Sequence, residues 1–177
     1  MGKEIADVDG NVEERRGIVS VFNGPKPAIM VCDSPKKEID AVSKWIKEKI
    51  SNRTLPHEIG VFVRSEAQLP RAQSAVEKAK LSYCILDEKV ETASGNVSIS
   101  TMHLAKGLEF RAVCVMACDD EIVPLQERIE MAGDDAELEE VYNTERHLLY
   151  VACTRAREDL LITSGDTPSE FIDDLRI

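Results

Sequence analysis

Two short strings in this chain gather residue types that do chemistry: Thr101-Met-His103-Leu-Ala-Lys106-Gly107-Leu-Glu109-Phe110 and Thr154-Arg155-Ala156-Arg157. In the first, an alternating apolar run from Val97 empties into a polar stretch, as a strand does when it delivers side chains to the end of a sheet. That end is where α/β proteins keep their ligands. Any one of these residues reads as easily as a solvated turn residue, with Leu108 and Phe110 buried beside it. Thr, His, Lys and Glu together, next to a glycine, make the composition of a ligand site. Gly107 admits a tight backbone path that a side chain would block. The second string closes an amphipathic helix that begins near Glu145 and carries Arg155 and Arg157 into its last turn. A guanidinium is a planar fork that can grip two oxygens at once. Two residues are about 200° of helix, so Arg157 cannot share the face of Arg155 and is read as solvated.

The elements that must position these groups follow from periodicity. Ala28-Ile-Met-Val-Cys32 is a buried-strand run, and Ser34-Pro35 then supplies a helix cap followed by proline at the first helical position. Ile39, Val42, Ile46 and Ile50 recur at helical spacing, so a helix is expected from Pro35 to about Ser51. Strands are expected at Ile59–Val63, Tyr83–Leu86, Val97–Met102, Ala112–Ala117 and Asp159–Thr163, with helices at Glu66–Lys80 and Pro168–Leu175. Strand and helix alternate throughout, which implies a mostly parallel sheet covered on both faces. Tyr150, with Leu148, Leu149 and Val151, is read as the packed face of its helix.

The chain has 177 residues, 43% hydrophobic and 31% charged, which suits one globular domain. No apolar run reaches the roughly 18 residues that span a membrane, and a soluble, cytoplasmic protein is expected. The five cysteines, Cys32, Cys84, Cys114, Cys118 and Cys153, are odd in number and scattered, so they read as reduced core residues, not as a disulfide framework or zinc site. A net charge of -11 opposes tight nucleic-acid binding, because neutralised phosphates supply most of the non-specific affinity. Much of the acid lies in Asp119-Asp-Glu121 and between Glu127 and Glu145. The two strings are rich in His, Lys and Arg.

Together the two strings resemble the last two signature motifs of superfamily 1 DNA helicases of the UvrD/Rep/PcrA type. Phe62-Val-Arg-Ser-Glu-Ala-Gln68 is similar to that family's Tyr-Arg-Ser-Asn-Ala-Gln segment. The order of elements resembles the family's second RecA-like domain, a P-loop NTPase-like α/β fold with a mostly parallel sheet and helices on both faces. The resemblance covers nearly the whole chain. It implies that Arg155 is an arginine finger for ATP, that Gly107 and Glu109 lie on the nucleotide side, and that Thr101 and His103 contact the backbone of single-stranded DNA. Lys106 would sit between the two sites. Arg64 would contact the DNA backbone, with helix capping or an ion pair as the alternative. Arg146 could bind phosphate or pair with Glu145 or Glu139. Asp119-Asp-Glu121 matches a family loop of variable acids, and no metal is expected there.

Departures from the family pattern matter equally. A motor ATPase holds its phosphates with a Gly-x-x-x-x-Gly-Lys-Ser/Thr loop and magnesium with acids at a strand end. Neither string occurs here. ATP and Mg2+ would therefore be held mainly by an ATP-binding first motor domain of the same protein, and this chain alone would bind no cofactor and turn nothing over. The family's helical insertion before the Thr-x-His strand is replaced by about ten polar residues, Asp87 to Asn96. His147 stands where the family commonly has arginine. The division expected is a loosely ordered leading segment, 1–26, and a second RecA-like domain, 27–177, monomeric and without the insertion. The alternatives are a stand-alone helicase-fold module that binds protein or nucleic acid without hydrolysing ATP, and an independent enzyme using Asp119 to Glu121.

Overall fold

The computed structural model describes residues 26–88 and 92–175, with the backbone of a short antiparallel pair, β1 (Ile5–Ala6) and β2 (Val12–Glu13). The expectations for the other residues of 1–25 lie outside the described residues. The body of the molecule is one six-stranded sheet built from β3 (Ala28–Val31), β4 (Ile59–Val63), β5 (Tyr83–Ile85), β6 (Val97–Thr101), β7 (Phe110–Val115) and β8 (Ala156–Ser164). Its order is β3-β8-β7-β4-β6-β5, and every pairing is parallel.

Topology decides which face each connection covers. The steps from β3 to β4 and from β4 to β5 run one way across the sheet and carry α1 (Pro35–Ser51) and α2 (Leu69–Lys78). From β6 to β7 and from β7 to β8 the chain steps back the other way, through a 3-10 turn at Met102–Leu104, α3 (Gln126–Glu130) and α4 (Asp135–Cys153). Right-handed crossovers in opposite directions put their helices on opposite faces. Two buried clusters result. Val42, Ile46, Ala72 and Val76 pack on Ile59, Val61, Val63, Ala112 and Cys114 on one face. Leu149, Ala152 and Cys153 pack with Phe62, Phe110, Val113 and Val115 on the other.

The helix ends follow local chemistry. Ser34 caps α1 by accepting the Lys37 N–H, with Pro35 in the first turn, and the Asp134 side chain accepts the Glu137 N–H at the start of α4. The helix expected from Glu66 begins as a 3-10 turn at Glu66–Gln68 and becomes α-helical only at Leu69, because Pro70 suits a first turn and not an interior. The last expected helix, Pro168–Leu175, is a 3-10 stretch, Glu170–Leu175. Gly60 lies where a Cβ would stand 2.6 Å from the Phe110 ring, so its missing side chain lets that ring cross β4 and meet Phe62 edge to face at 6.0 Å.

Candidate functional site

Strand direction separates the residues of the first string. Thr101 ends β6 at the carboxyl edge of the sheet, whereas Phe110 begins β7, which runs parallel to β6 and therefore starts at the amino edge. Residues 102–109 carry the chain back along the sheet. Thr101 and His103 consequently sit at one edge, and Glu109 and Arg155 at the other: the Phe110 N–H donates to the Arg155 carbonyl at 2.9 Å, and Phe110 pairs with Ala156. Composition alone reads the string as one cluster at a strand's carboxyl end; the parallel pairing instead places its two ends at opposite edges of the sheet.

At the carboxyl edge Arg64, directly after β4, turns inward. Its Nε donates to Glu145 Oε2 at 2.6 Å and its Nη2 to Oε1 at 2.5 Å, a bidentate pair in which the Arg64 side chain is 3% exposed and that of Glu145 fully buried. This corrects the expected DNA-backbone contact: the guanidinium has no free surface to offer a phosphate, and the ion-pair alternative is the arrangement found. Glu145 also accepts the Leu125 N–H at 3.1 Å and Arg128 Nη1 at 2.8 Å. Burial pushes the Glu145 carboxyl up, but Arg64, the Leu125 N–H and Arg128 outweigh it and hold it below the usual range. Arg64 Nη1 lies 3.5 Å from Nδ1 of His103, an exposed residue. Partial burial and the Arg64 charge depress the His103 pKa. Thr101 is half-buried.

At the amino edge Arg155 follows α4 instead of closing it, and Arg157 lies in β8, so the expected helical geometry gives way to a turn and a strand. The Arg155 guanidinium folds onto its own surroundings: Nε donates to the Val151 carbonyl at 3.1 Å, Nη1 to the Leu108 carbonyl at 3.3 Å and Nη2 to Thr154 Oγ1 at 3.1 Å. Five N–H groups are available, so two remain unused. Lys106, Gly107 and Glu109 are exposed. Gly107 has φ 84° with nothing within 4 Å of an added Cβ; its requirement is the left-handed backbone, not the lack of room the sequence suggested.

Other readings also move. Tyr150 is 59% exposed, so it is not on the packed face of α4, which Tyr142, Glu145, Leu149 and Ala152 form. Arg146 pairs with Asp174 at 3.0 Å and lies 4.8 Å over the Phe171 ring, not with Glu145 or Glu139. Asp119 is buried, accepting from Ser164 Oγ, the Gly165 N–H and Arg71 Nη1 at 2.9, 2.6 and 2.7 Å. Arg71 also touches Glu38 of α1, which accepts the Ala117 N–H at 2.9 Å and Thr163 Oγ1 at 2.6 Å. Sequence reasoning missed this buried knot. Its one signal was Glu38 at helical spacing from Val42 and Ile46.

A wholly parallel sheet of this order, with helices on both faces, defines a RecA-like α/β fold. A crystal structure titled as the C-terminal domain of a possible DNA helicase, from a Lactobacillus strain (WCFS1), shares it, with TM-score 0.63, 22% identity, and coverage of 86% of this chain and 82% of that one. The model of the UvrD-like helicase C-terminal domain matches residues 76–167, more than half of the chain, and the chain belongs to that family. It is 33% identical over 119 residues to a "Probable DNA helicase II homolog" of Rickettsia conorii, which is 67% of this chain and 17% of that protein. To an ATP-dependent DNA helicase PcrA of Staphylococcus epidermidis it is 42% identical over 84 residues, 48% of this chain and 11% of that protein. The chain thus spans only about a sixth to a ninth of the length of these relatives. No helix among the described residues is long and apolar enough to cross a membrane.

Proposed function

We propose that the chain is the second motor domain of an ATP-dependent DNA helicase or translocase, working against an ATP-binding first motor domain of the same protein. The observation that supports this reading, with the family membership, is that Thr101 and His103 lie at one edge of the sheet while Glu109 and Arg155 lie at the other. Glu145 and Arg155 are ten positions apart along α4 and its cap, about 15 Å at the helical rise. A cation at one end and hydrogen-bond donors at the other suit a domain that meets a nucleotide on one side and a strand on the other.

The residues at the amino edge fit part of an ATP site and not a whole one. Arg155 keeps two N–H groups, and Glu109 and Lys106 are exposed, yet no phosphate loop is present and no group of three or more His, Cys, Asp or Glu among the described residues could hold a metal. ATP and Mg2+, held mainly by the first domain, would supply the phosphoryl group whose transfer drives movement. Arg155 would exchange its contacts with Thr154 and the Leu108 carbonyl for phosphate oxygens, where an arginine finger contributes roughly 10³- to 10⁵-fold in rate. Gly107 lets the chain turn so that Glu109 can reach the nucleotide side. At the other edge Thr101 and His103 would donate to DNA phosphates, Lys106 would lie between the sites, and Arg64 would support from behind. Alone, the domain would turn nothing over.

The test uses the full-length protein. Arg155→Ala should lower DNA-stimulated ATP hydrolysis by roughly a hundredfold or more while ATP binding changes little, because the finger acts on charge that develops in the transition state. Hydrolysis within a few-fold of wild type would remove Arg155 from the mechanism, whereas a full-length protein that neither binds nor hydrolyses ATP would favour the stand-alone binding module.

A further inference from the structure

The arrangement behind His103 says more than that it lies on a track. A guanidinium only donates hydrogen bonds, so the ring nitrogen that faces Arg64 Nη1 at 3.5 Å must be the acceptor. With Nδ1 accepting, the single proton of a neutral imidazole lies on Nε2, which is the far side of the ring. Arg64 cannot swing away, since both carboxylate oxygens of the fully buried Glu145 hold it. Glu145 in turn is fixed by the Leu125 N–H and by Arg128. The charged groups around the ring are therefore Arg64 from the turn after β4, Glu145 from α4 and Arg128 from α3. Two cations against one carboxylate oppose a proton on Nδ1.

We propose that Arg64 and Glu145 are positioning residues that hold His103 as a neutral imidazole protonated at Nε2, so that it meets the DNA phosphate as an uncharged donor. This rests on the proposed reading of His103 as part of the strand track and gives its chemistry. A neutral donor contributes hydrogen-bond geometry without releasing a counterion, whereas a cation would add to the salt dependence. Its contribution also persists across neutral pH, where an ordinary histidine begins to titrate. Lys106 is left as the exposed cation of this segment.

Two measurements separate this proposal from the reading beneath it. The first is nitrogen NMR of the histidine side chains in the 177-residue chain across pH, with His103→Gln used to assign the signal among three histidines. His103 should be the Nε2-protonated tautomer and should titrate below the ordinary histidine value. Arg64→Met should raise that pKa and mix the tautomers. Should that variant not fold, Arg64→Met with Glu145→Leu removes both charges and should do the same. A wild-type ring protonated on Nδ1, or charged at neutral pH, overturns the proposal without any variant. The second measurement is binding of an oligothymidylate by the full-length protein at several salt concentrations. His103→Ala should weaken it about two- to tenfold, the span of a neutral hydrogen bond, at unchanged salt slope. His103→Gln, which places a neutral N–H near the position of Nε2, should recover most of the loss. A slope reduced by about one refutes the uncharged donor. Unchanged affinity in His103→Ala with the expected tautomer instead removes His103 from the DNA track and leaves the positioning intact.

Discussion

Removing the carboxylate of Glu145 is the sharpest structural perturbation the fold offers. In Glu145→Ala, Arg64 keeps its place between β4 and α4 but loses both oxygens of a bidentate pair, with its side chain 3% exposed. An unpaired buried cation of this kind costs about 3–5 kcal/mol. Arg128, whose side chain is 37% exposed, can turn to water and adds little. For a domain whose whole stability is of order 5–15 kcal/mol, this is a large fraction. With a urea dependence near 2 kcal/mol/M, the unfolding midpoint should fall by roughly 2 M. The double change Arg64→Met with Glu145→Leu removes both charges and leaves the Leu125 N–H without its acceptor, worth about 1–3 kcal/mol, while the exposed His103 ring, which also loses its partner, can turn to water. It should therefore be more stable than Glu145→Ala, a non-additivity that urea titration of both variants reads directly. A midpoint for Glu145→Ala within about 0.5 M of wild type, or a double variant less stable than the single one, would refute the argument that Arg64 is a buried charge dependent on Glu145.

Three further outcomes can be measured. Gly60→Ala should cost about 1–3 kcal/mol in urea unfolding, because its Cβ would stand 2.6 Å from the Phe110 ring, and Phe110→Leu in the same chain should recover part of that loss. Burial holds the Glu38 carboxyl above its usual 4.5 despite Thr163, the Ala117 N–H and Arg71, so its contribution is present below that value and is lost as pH rises through the folded pKa. Wild type should accordingly lose stability relative to Glu38→Gln from about pH 4.5 upward, and thermal midpoints that keep a constant gap would contradict it. In the full-length protein Lys106→Ala should reduce the salt slope of single-stranded DNA binding by about one, uniformly across sequences, and an unchanged slope would place Lys106 off the track.

Local signals were legible where a residue's job is local. The Ser34-Pro35 cap and the Ile39, Val42, Ile46, Ile50 stripe define α1 at Pro35–Ser51, and the apolar run Ile59–Val63 is β4 to the residue. Where tertiary contacts set the outcome, the pattern misled. Tyr150 looks apolar beside Leu149, yet the buried stripe of α4 runs through Tyr142, Glu145, Leu149 and Ala152 and leaves Tyr150 outside it. Periodicity treats Glu145 as polar and therefore as solvent-facing. Its partner, Arg64, is 81 residues away and carries no mark of the pairing. Glu38 and Arg71, which bind four elements into one knot with Asp119 and Thr163, are hidden for the same reason.

The division of the site into two ends has a different cause. Composition places Thr101, His103, Lys106 and Glu109 within nine residues and suggests one cluster, and for an antiparallel hairpin that would hold, since its two strands meet at the same edge. Here β6 and β7 are both paired in parallel to β4, so the residue that ends one and the residue that begins the other must lie at opposite edges of the sheet. A strand rises about 3.3 Å per residue, and crossing back over five or six residues takes on the order of 17–20 Å. The eight residues between Thr101 and Phe110 are enough for that return and for the 3-10 turn that presents His103, with little chain to spare. The parallel pairing thus fixes what the spacing alone leaves open. A group that follows Thr101 closely stays with the carboxyl edge, a group that precedes Phe110 closely goes to the amino edge, and Lys106, between them, is the residue whose partner the topology alone does not assign.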